Sequence, residues 1–487
     1  MTPDFPAFAP LFARQLHHLR TTTGPALQAW EALLQDWIPR HLLAQEDQGP
    51  HSRDRLWNLR LTFWTFLWQI AHAGASCREA VREARDRCRL LNRPVPPETT
   101  SPYCQARSSL PLERLDQIHR TVLSEAQEAL SAGALWCGLD VQVVDGTTLT
   151  APDTPENQAA YPQQKVQRPG CGFPILRLVA LFSLATGMIG GWVTGTWVQH
   201  ELMLFQQLWE WLRPGQLLLG DRGFCTWGLL AQCQARSLHA VFRLRGTRRR
   251  DFRRGRCLGG GQRLVHWNKP PRRPRTLSVA EWITLPACLE LRLVRSRLQV
   301  RGFRTTQIAL VTTLLDTQRY PLEAFGLLYL RRWRMELAFR DLKITLQMDP
   351  LRCRTPNTVA REIRLHRLVH NLARRVMLEA ARRHRVPPDR LSFAGTLAAC
   401  RCCAQALLQT RSESKRRQLL AQLFLTIASD LVPHRPGRRE PRAVKRRPKP
   451  YPRLTCHRHR FREIQHQNRY YIPAKLRPAH PKYLGLN

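Results

Sequence analysis

Tyr329, Arg332, Glu336 and Lys343 follow one another at intervals of three, four and seven residues. At 100° per residue these positions fall inside an arc of about 60°, so a phenol, two cations and one acid share a helix face. Trp333 and Arg340 border that arc, while Leu328, Met335, Phe339, Leu342 and Leu346 form a separate apolar stripe that must face a core. Alone, such a face reads as a solvated Arg–Glu pair. Two further acids change the reading. Asp145 closes the run Val141-Gln142-Val143-Val144 and precedes Gly146-Thr147-Thr148, and Asp221 closes Gln216-Leu217-Leu218-Leu219-Gly220 and precedes Arg222-Gly223-Phe224. Each could be a turn aspartate, but acids at strand ends lie on a sheet rim, where loops build sites.

Phosphodiester chemistry gives the three acids a reason to converge. Two divalent ions roughly 3.5–4 Å apart activate an attacking oxygen and stabilise a leaving one. Mg²⁺ prefers carboxylate oxygens, and Asp145, Asp221 and Glu336 could bind and bridge such a pair, with the surrounding cations holding phosphates nearby. No histidine cluster with metal spacing competes, and the absence of G-x-x-x-x-G-K-[ST] argues against an ATPase.

Tyr329-x2-Arg332-x3-Glu336-x6-Lys343, with Asp145-Gly146-Thr147 and Gly220-Asp221-Arg222-Gly223-Phe224 upstream, resembles the insertion sequence 4 family of DDE transposases, in its Y-R-E-K subgroup. The likeness spans about residues 136 to 350, and the helical front and basic tail also resemble members of the family. It implies an α/β protein with a ribonuclease-H-like catalytic domain, a β subdomain inserted between the second Asp and the Glu, and a helical DNA-binding domain in front. The 115 positions between Asp221 and Glu336 agree with an insertion. By resemblance Asp145, Asp221 and Glu336 are catalytic and hold Mg²⁺, as two ions that Mn²⁺ could replace. Tyr329, Arg332 and Lys343, with Arg222 and Arg340, would contact DNA. The implied partners are double-stranded DNA, at the element's inverted repeats and at the target, and a second copy of the chain in a synaptic complex. The implied reaction is cut-and-paste transposition: 3′-end nicking by water, then attack of the 3′-hydroxyl on target DNA. Relatives flip a base onto a tryptophan of the inserted region during a hairpin step. The matching position here lies near Ile308, so this sequence departs, and Trp267 and Trp282 are substitutes whose ordinary role would be core packing. A catalytically inactive DNA-binding relative and a host ribonuclease-H-like nuclease are the alternatives. The intact acid set speaks against the first, and inverted repeats flanking the gene would speak against the second.

The elements that must position these residues can be read in outline. Residues 1 to about 130 read as helical, with Leu56–Ile70 apolar, Cys77–Leu91 amphipathic, and a break at Pro94, Pro96 and Pro97. Ser101–Arg107 follows as a capped helix carrying Gln105 and Arg107 outward, either a small DNA-binding unit or an ordinary helical hairpin. From about 136 short apolar strands begin: Leu139–Asp145, two within Phe173–Val198, Gln216–Gly220 and His239–Leu244, with helices at Glu201–Leu212 and Thr226–Arg236. These predict a mixed sheet flanked by helices. An insertion at about 245–304 carries Gly259-Gly260-Gly261 and expected strands at Trp282–Leu285 and Leu289–Leu298. A strand at Gln307–Leu315, one long helix at Leu322–Leu346 and helices over about 355–432 complete a catalytic domain of residues 136–432. Residues 433–487 read as a basic, Pro-rich tail.

Bulk composition sets the partner class. The chain has 487 residues, 43% of them hydrophobic, and 77 Lys and Arg against 36 Asp and Glu, a net charge of +41. Such an excess repels itself and implies a polyanion, nucleic acid first and an anionic membrane second. The 14 cysteines form neither a disulfide framework nor a zinc ribbon. Cys400 to Cys403, with Cys456 and His457, is the one candidate zinc set, against small buried hydrophobes on a helix. No basic region followed by an apolar run opens the chain. Phe173–Val198 is long enough to raise a membrane question, yet Arg177 and the Ala185-Thr186-Gly187 break favour a hairpin. These features predict a cytoplasmic, nucleoid-associated protein without a membrane partner.

Overall fold

A computed structural model describes residues 31, 33–34, 37–44, 56–128, 132–297, 307–408, 410, 412–433 and 460. Among the described residues the front contains α1 (Leu59–Ala71), α2 (Cys77–Leu90), α3 (Ser101–Ser108) and α4 (Leu112–Glu128). A first group of strands follows with three helices: β1 (Val141–Thr150), α5 (Pro155–Ala160), β2 (Ile175–Ser183), β3 (Ile189–Thr196), α6 (Glu201–Phe205), β4 (Leu217–Gly220), α7 (Trp227–Ala235) and β5 (His239–Arg243). Then come β6 (Arg256–Cys257), β7 (Gln262–Asn268), α8 (Val279–Thr284), β8 (Cys288–Arg297) and β9 (Gln307–Thr312). The chain continues through α9 (Leu322–Arg331), α10 (Trp333–Arg340), α11 (Pro356–His384), α12 (Phe393–Leu408) and α13 (Glu413–Ser429).

Among the described residues the nine strands join one sheet in the order β3-β2-β1-β4-β5-β9-β8-β7-β6. The first three are antiparallel, and β4 and β5 then run parallel to β1. Successive side chains of a strand point to opposite faces, and both faces are buried. Val143, Leu217 and Leu219 enter one core with the helices at either end of the chain; Val144 and Leu218 enter a second core with α6, α7 and the inserted strands. That two-sided burial explains the long apolar run at Phe173–Val198. It is a hairpin with Gly187 at φ +70° in its turn, and no helix among the described residues is long and apolar enough to cross a membrane.

The strands of the insertion at about 245–304 join the main sheet, β8 pairing with β9 and β9 with β5. Other expectations need correcting. Trp282–Leu285 is not a strand. Ser278 and Glu281 form a reciprocal capping box that starts α8 there, and local capping outweighs the β preference of Trp and Ile. Strands β6 and β7 escaped the sequence reading. The expected helix at Leu322–Leu346 is not uniform. Around Arg332 its ladder tightens to i→i+3 bonds, Arg332 N–H to Tyr329 and Met335 N–H to Arg332, and at Asp341–Thr345 it widens into a π-turn closed by Leu346 N–H on Asp341. Glu201–Leu212 likewise splits into α6 and a 3₁₀ stretch, Gln206–Trp211.

The front helices share the first core with α11 and α12 across the 130–136 junction. Asn371 on α11 shows how tightly. Its Oδ1 accepts the Ile189 N–H of β3 at 2.9 Å, and its Nδ2 lies 2.8 Å from the Ile189 carbonyl and 2.9 Å from Nε2 of His119 on α4. Arg107, expected to face outward from α3, turns inward: it donates to Gln69 at 3.1 Å and stacks on the ring of Phe66. The region beyond residue 433, including Cys456, His457 and nearly all of the basic tail, lies outside the described residues, as does the start of the helical front. Cys400 is buried on α12, and among the described residues no group of acids, histidines and cysteines is arranged to hold a metal.

Candidate active site

Asp145 does not end its strand, because β1 runs on to Thr150 beside β2. It is instead the first residue beyond the pairing of β1 with β4, which stops at Val144 opposite Gly220. Asp221 is the first residue beyond the end of β4. The parallel register therefore sets the two aspartates abreast, where two carboxyl ends of strands part, a position at which open α/β sheets bind ligands. Each is fixed locally. Asp145 Oδ1 accepts the Gly146 N–H at 2.9 Å, and Asp221 Oδ1 accepts the Gly223 N–H at 2.7 Å. A larger residue at 223 would crowd that carboxylate, since a Cβ there would stand 3.0 Å from the same oxygen. Arg245, just past β5, donates to the carbonyls of Arg222 and Gly223 at 3.1 Å each and braces the loop. No local sequence signal pointed to Arg245; its role comes from the parallel placement of β5 against β4.

The third acid arrives through an arginine. Arg332, 8% exposed, donates from Nη1 to Asp145 Oδ2 at 2.8 Å and from Nη2 to Glu336 Oε1 at 3.2 Å. One guanidinium thus spans the gap between β1 and α10, and its Nε is buried without a partner. The buried Tyr329 ring lies 5.6 Å from the guanidinium carbon, a brace for Arg332 instead of an open platform. Burial acts to lower the Arg332 pKa, but the groups of Tyr329, Asp145, Glu336 and Asp221 outweigh it and raise it, so the guanidinium stays charged. Burial pushes Asp145 up to about 6, against the pull of Arg332 and the Gly146 N–H and with the help of the charges on Asp221 and Glu201.

Lys343 reaches the same strand farther along. It donates to the Thr148 carbonyl and pairs with Asp349 at 3.3 Å, while Asp349 accepts the Thr150 N–H at 3.0 Å. The π-turn supplies its angle, and insertions of this kind recur at functional sites. Arg222 is exposed on the Asp221 loop. Arg340 departs from the group, because it lines a cavity with Arg331, Arg334 and Arg374. Of the aromatic substitutes, Trp267 is buried, and Trp282 packs on Trp227 with the Lys269 ammonium 4.5 Å from its ring; Ile308 is buried as well.

The profile of the Transposase DDE domain family matches residues 136–372, a span that contains all three acids. Transposase InsG for insertion sequence element IS4, from Escherichia coli strain K12, is 28% identical over 403 residues, which cover 81% of this chain and 87% of that one. Both findings make the chain similar to the insertion sequence 4 family of DDE transposases and support that reading. The chain is therefore a DNA transposase, a metal-dependent enzyme that cleaves DNA and transfers strands. A solved structure, the piggyBac transposase synaptic complex with hairpin DNA, aligns over 83% of this transposase and 86% of its own chain at 9% identity, with a TM-score of 0.40, too loose a likeness to bear on the fold.

Proposed function

We propose that Asp145, Asp221 and Glu336 are the catalytic acids of this transposase and that they hold two Mg²⁺ ions for cleavage at element ends and strand transfer into target DNA. The observation that supports this is the register of β1 and β4, which sets Asp145 and Asp221 abreast, together with one guanidinium, that of Arg332, joining Asp145 to Glu336. The donor set suits hard divalent ions, being carboxylate oxygens only, and the raised pKa of Asp145 marks a carboxylate whose charge lacks full compensation. Bound there, divalent ions would lower the pKa of an attacking water or 3′-hydroxyl and offset charge on the departing oxygen. Arg332 neutralises two of the acids and, with Arg222 and Lys343 on the same rim, binds phosphates beside the scissile bond. Tyr329 orients Arg332. Arg340 contacts DNA from the neighbouring face.

The strand order β3-β2-β1-β4-β5, with three antiparallel strands followed by two parallel ones, supports a ribonuclease-H-like catalytic unit over 136–432 with an insertion at about 245–304. The Y-R-E-K spacing supports membership of that subgroup. We assign the helical front to recognition of the element's ends, the tail to nonspecific DNA affinity, the synaptic complex to a homodimer, and the site of action to the nucleoid. The test is nicking of end DNA under Mg²⁺ alongside gel-shift binding. Asp145→Asn, Asp221→Asn and Glu336→Gln should each abolish nicking and leave binding intact or slightly tighter. Substantial residual nicking in any one of them would remove that residue from the metal site.

A further inference from the structure

Two cysteine sulfurs meet where the front helices pack together. Cys77 is the first residue of α2 and Cys104 lies on α3, and the Cys104 thiol donates to the Cys77 sulfur at 4.0 Å. Both residues are half-buried. The Gln69 amide of α1 faces the same sulfur. Its oxygen accepts the Tyr103 hydroxyl at 2.9 Å and Arg107 at 3.1 Å, which turns its Nε2 toward Cys77, a donor at 3.6 Å. Arg107 also donates to the Cys353 sulfur at 3.7 Å, so one guanidinium stands among three cysteines.

Buried cysteines are usually inert packing groups, and here burial raises the thiols of Cys233 and Cys400. Cys77 goes the opposite way. The hydrogen bond from Cys104 lowers it well below the ordinary thiol range against the effect of burial, and Arg107, the Gln69 amide and Arg352 add to the lowering. The start of a helix favours a thiolate as well. The same hydrogen bond raises Cys104, so the proton stays on Cys104 and the charge on Cys77. A cavity of about 90 Å³ lined by Gln69, Cys77, Arg107 and Arg352 adjoins the sulfur, with room for a molecule of a few atoms. An accessible thiolate with a second thiol beside it is the arrangement that responds to oxidants.

We propose that Cys77 and Cys104 are a peroxide-sensitive pair that closes, on oxidation, to a disulfide tying α2 to α3. The Cys77 thiolate attacks one oxygen of hydrogen peroxide. An S–O bond forms, the O–O bond breaks and hydroxide leaves, giving a sulfenic acid. The Cys104 sulfur then attacks that of Cys77: the S–S bond forms, the S–O bond breaks, and the departing hydroxide takes the Cys104 proton to become water. Two electrons pass from the two sulfurs to the peroxide. The disulfide joins positions 27 apart in the chain, which restricts the unfolded state and stabilises the front helices. A dithiol reverses it.

The test treats the reduced full chain with hydrogen peroxide, alkylates the remaining thiols and maps the unreduced peptides by mass, with thermal unfolding in parallel. The first disulfide should join Cys77 to Cys104, before any bond to the exposed Cys257, Cys288 or Cys402. The melting temperature should rise on oxidation and return with dithiothreitol. In Cys104→Ser, dimedone should trap Cys77 as its sulfenic acid. In Cys77→Ser, Cys104 should remain a thiol at the same dose and the melting temperature should not move. A first disulfide from Cys77 to Cys353, or between two chains, would overturn the pairing. Equal dimedone labelling of Cys77 in Cys104→Ser and of Cys104 in Cys77→Ser would overturn the role of Cys77 as the attacking sulfur. A dose that oxidises the exposed cysteines and leaves Cys77 and Cys104 as thiols would remove the pair altogether.

Discussion

Asp145 shows what burial costs a carboxylate. Its side chain is 20% exposed, and burial raises its pKa from 3.8 to about 6. The sign of the effect on stability follows from linkage. Between those two values the folded protein keeps the proton that the unfolded chain has released, so stability falls as pH rises from about 4 to about 6 and stays lower above that. A two-unit shift corresponds to about 3 kcal/mol at most. Asp145→Asn, which stays neutral, removes this dependence. In chelator, unfolding should show the variant about equal to the unaltered protein near pH 4 and more stable by up to that amount at pH 7. A difference between the two proteins that does not change with pH would mean that Asp145 ionises freely in the fold. Divalent ion should close the gap at pH 7, because only the unaltered protein keeps the full acid set.

Asp145, Asp221 and Glu336 could be singled out in the sequence because each carries its signal locally: an apolar run that ends in an acid, or a fixed helical spacing. The elements between them were legible only in outline. Strands β1, β2, β4 and β5 were within reach of apolar runs, whereas the π-turn at Asp341–Thr345 depends on how Lys343 meets β1 after some 195 residues of chain. Arg332 as a link between β1 and α10 has the same origin: a contact between distant segments, which periodicity does not encode. The misread strand at Trp282 is different, since its Ser278–Glu281 capping pair was visible in the sequence and was overlooked. Asn371 is the element-scale clamp that follows from such contacts. Replacing it with Leu would strand the Ile189 N–H in the core, while the Ile189 carbonyl would keep Nε2 of His119 at 2.9 Å. Denaturant unfolding should show a loss of about 2 kcal/mol for Asn371→Leu, within the range for a buried polar group deprived of its partner. A loss below about 1 kcal/mol would mean that the front helices are not held to β3 through this residue.

Charge acts on the whole molecule. The net charge of +41 includes 16 Lys and Arg at positions 435–487, against two acids there, Glu440 and Glu463. Ending the chain after Val432 should weaken binding to scrambled DNA and flatten its dependence on salt, because each lost phosphate contact lowers the slope by about one. Preference for end DNA over scrambled DNA should survive, since phosphate contacts position a protein while base contacts specify sequence. Binding measured across a salt series for both DNAs checks this. Loss of end preference with nonspecific affinity unchanged would reverse the roles assigned to front and tail. The single sheet matters at the same scale: β8 pairs with β9 and β9 with β5, which lies beside the strand that ends at Asp221, so the insertion is braced against the main sheet.

The core shared by the first and last helices also fixes a timetable for synthesis. Phe63, Trp64 and Phe66 of α1 are almost wholly buried, in a core completed by residues of α11 and α12. At 5–20 residues per second the ribosome needs roughly ten to fifty seconds to pass from the end of α4 to the end of α11. Throughout that interval the aromatic side of the first helices has no permanent cover. Chains stopped just before Pro356 should therefore be insoluble or bound by chaperones when expressed, whereas chains stopped after Val432 should be soluble. Fractionation of cell lysates would distinguish the two. A soluble, monomeric product from the shorter chain would show that the front helices find a closed packing of their own before the rest of the transposase is made.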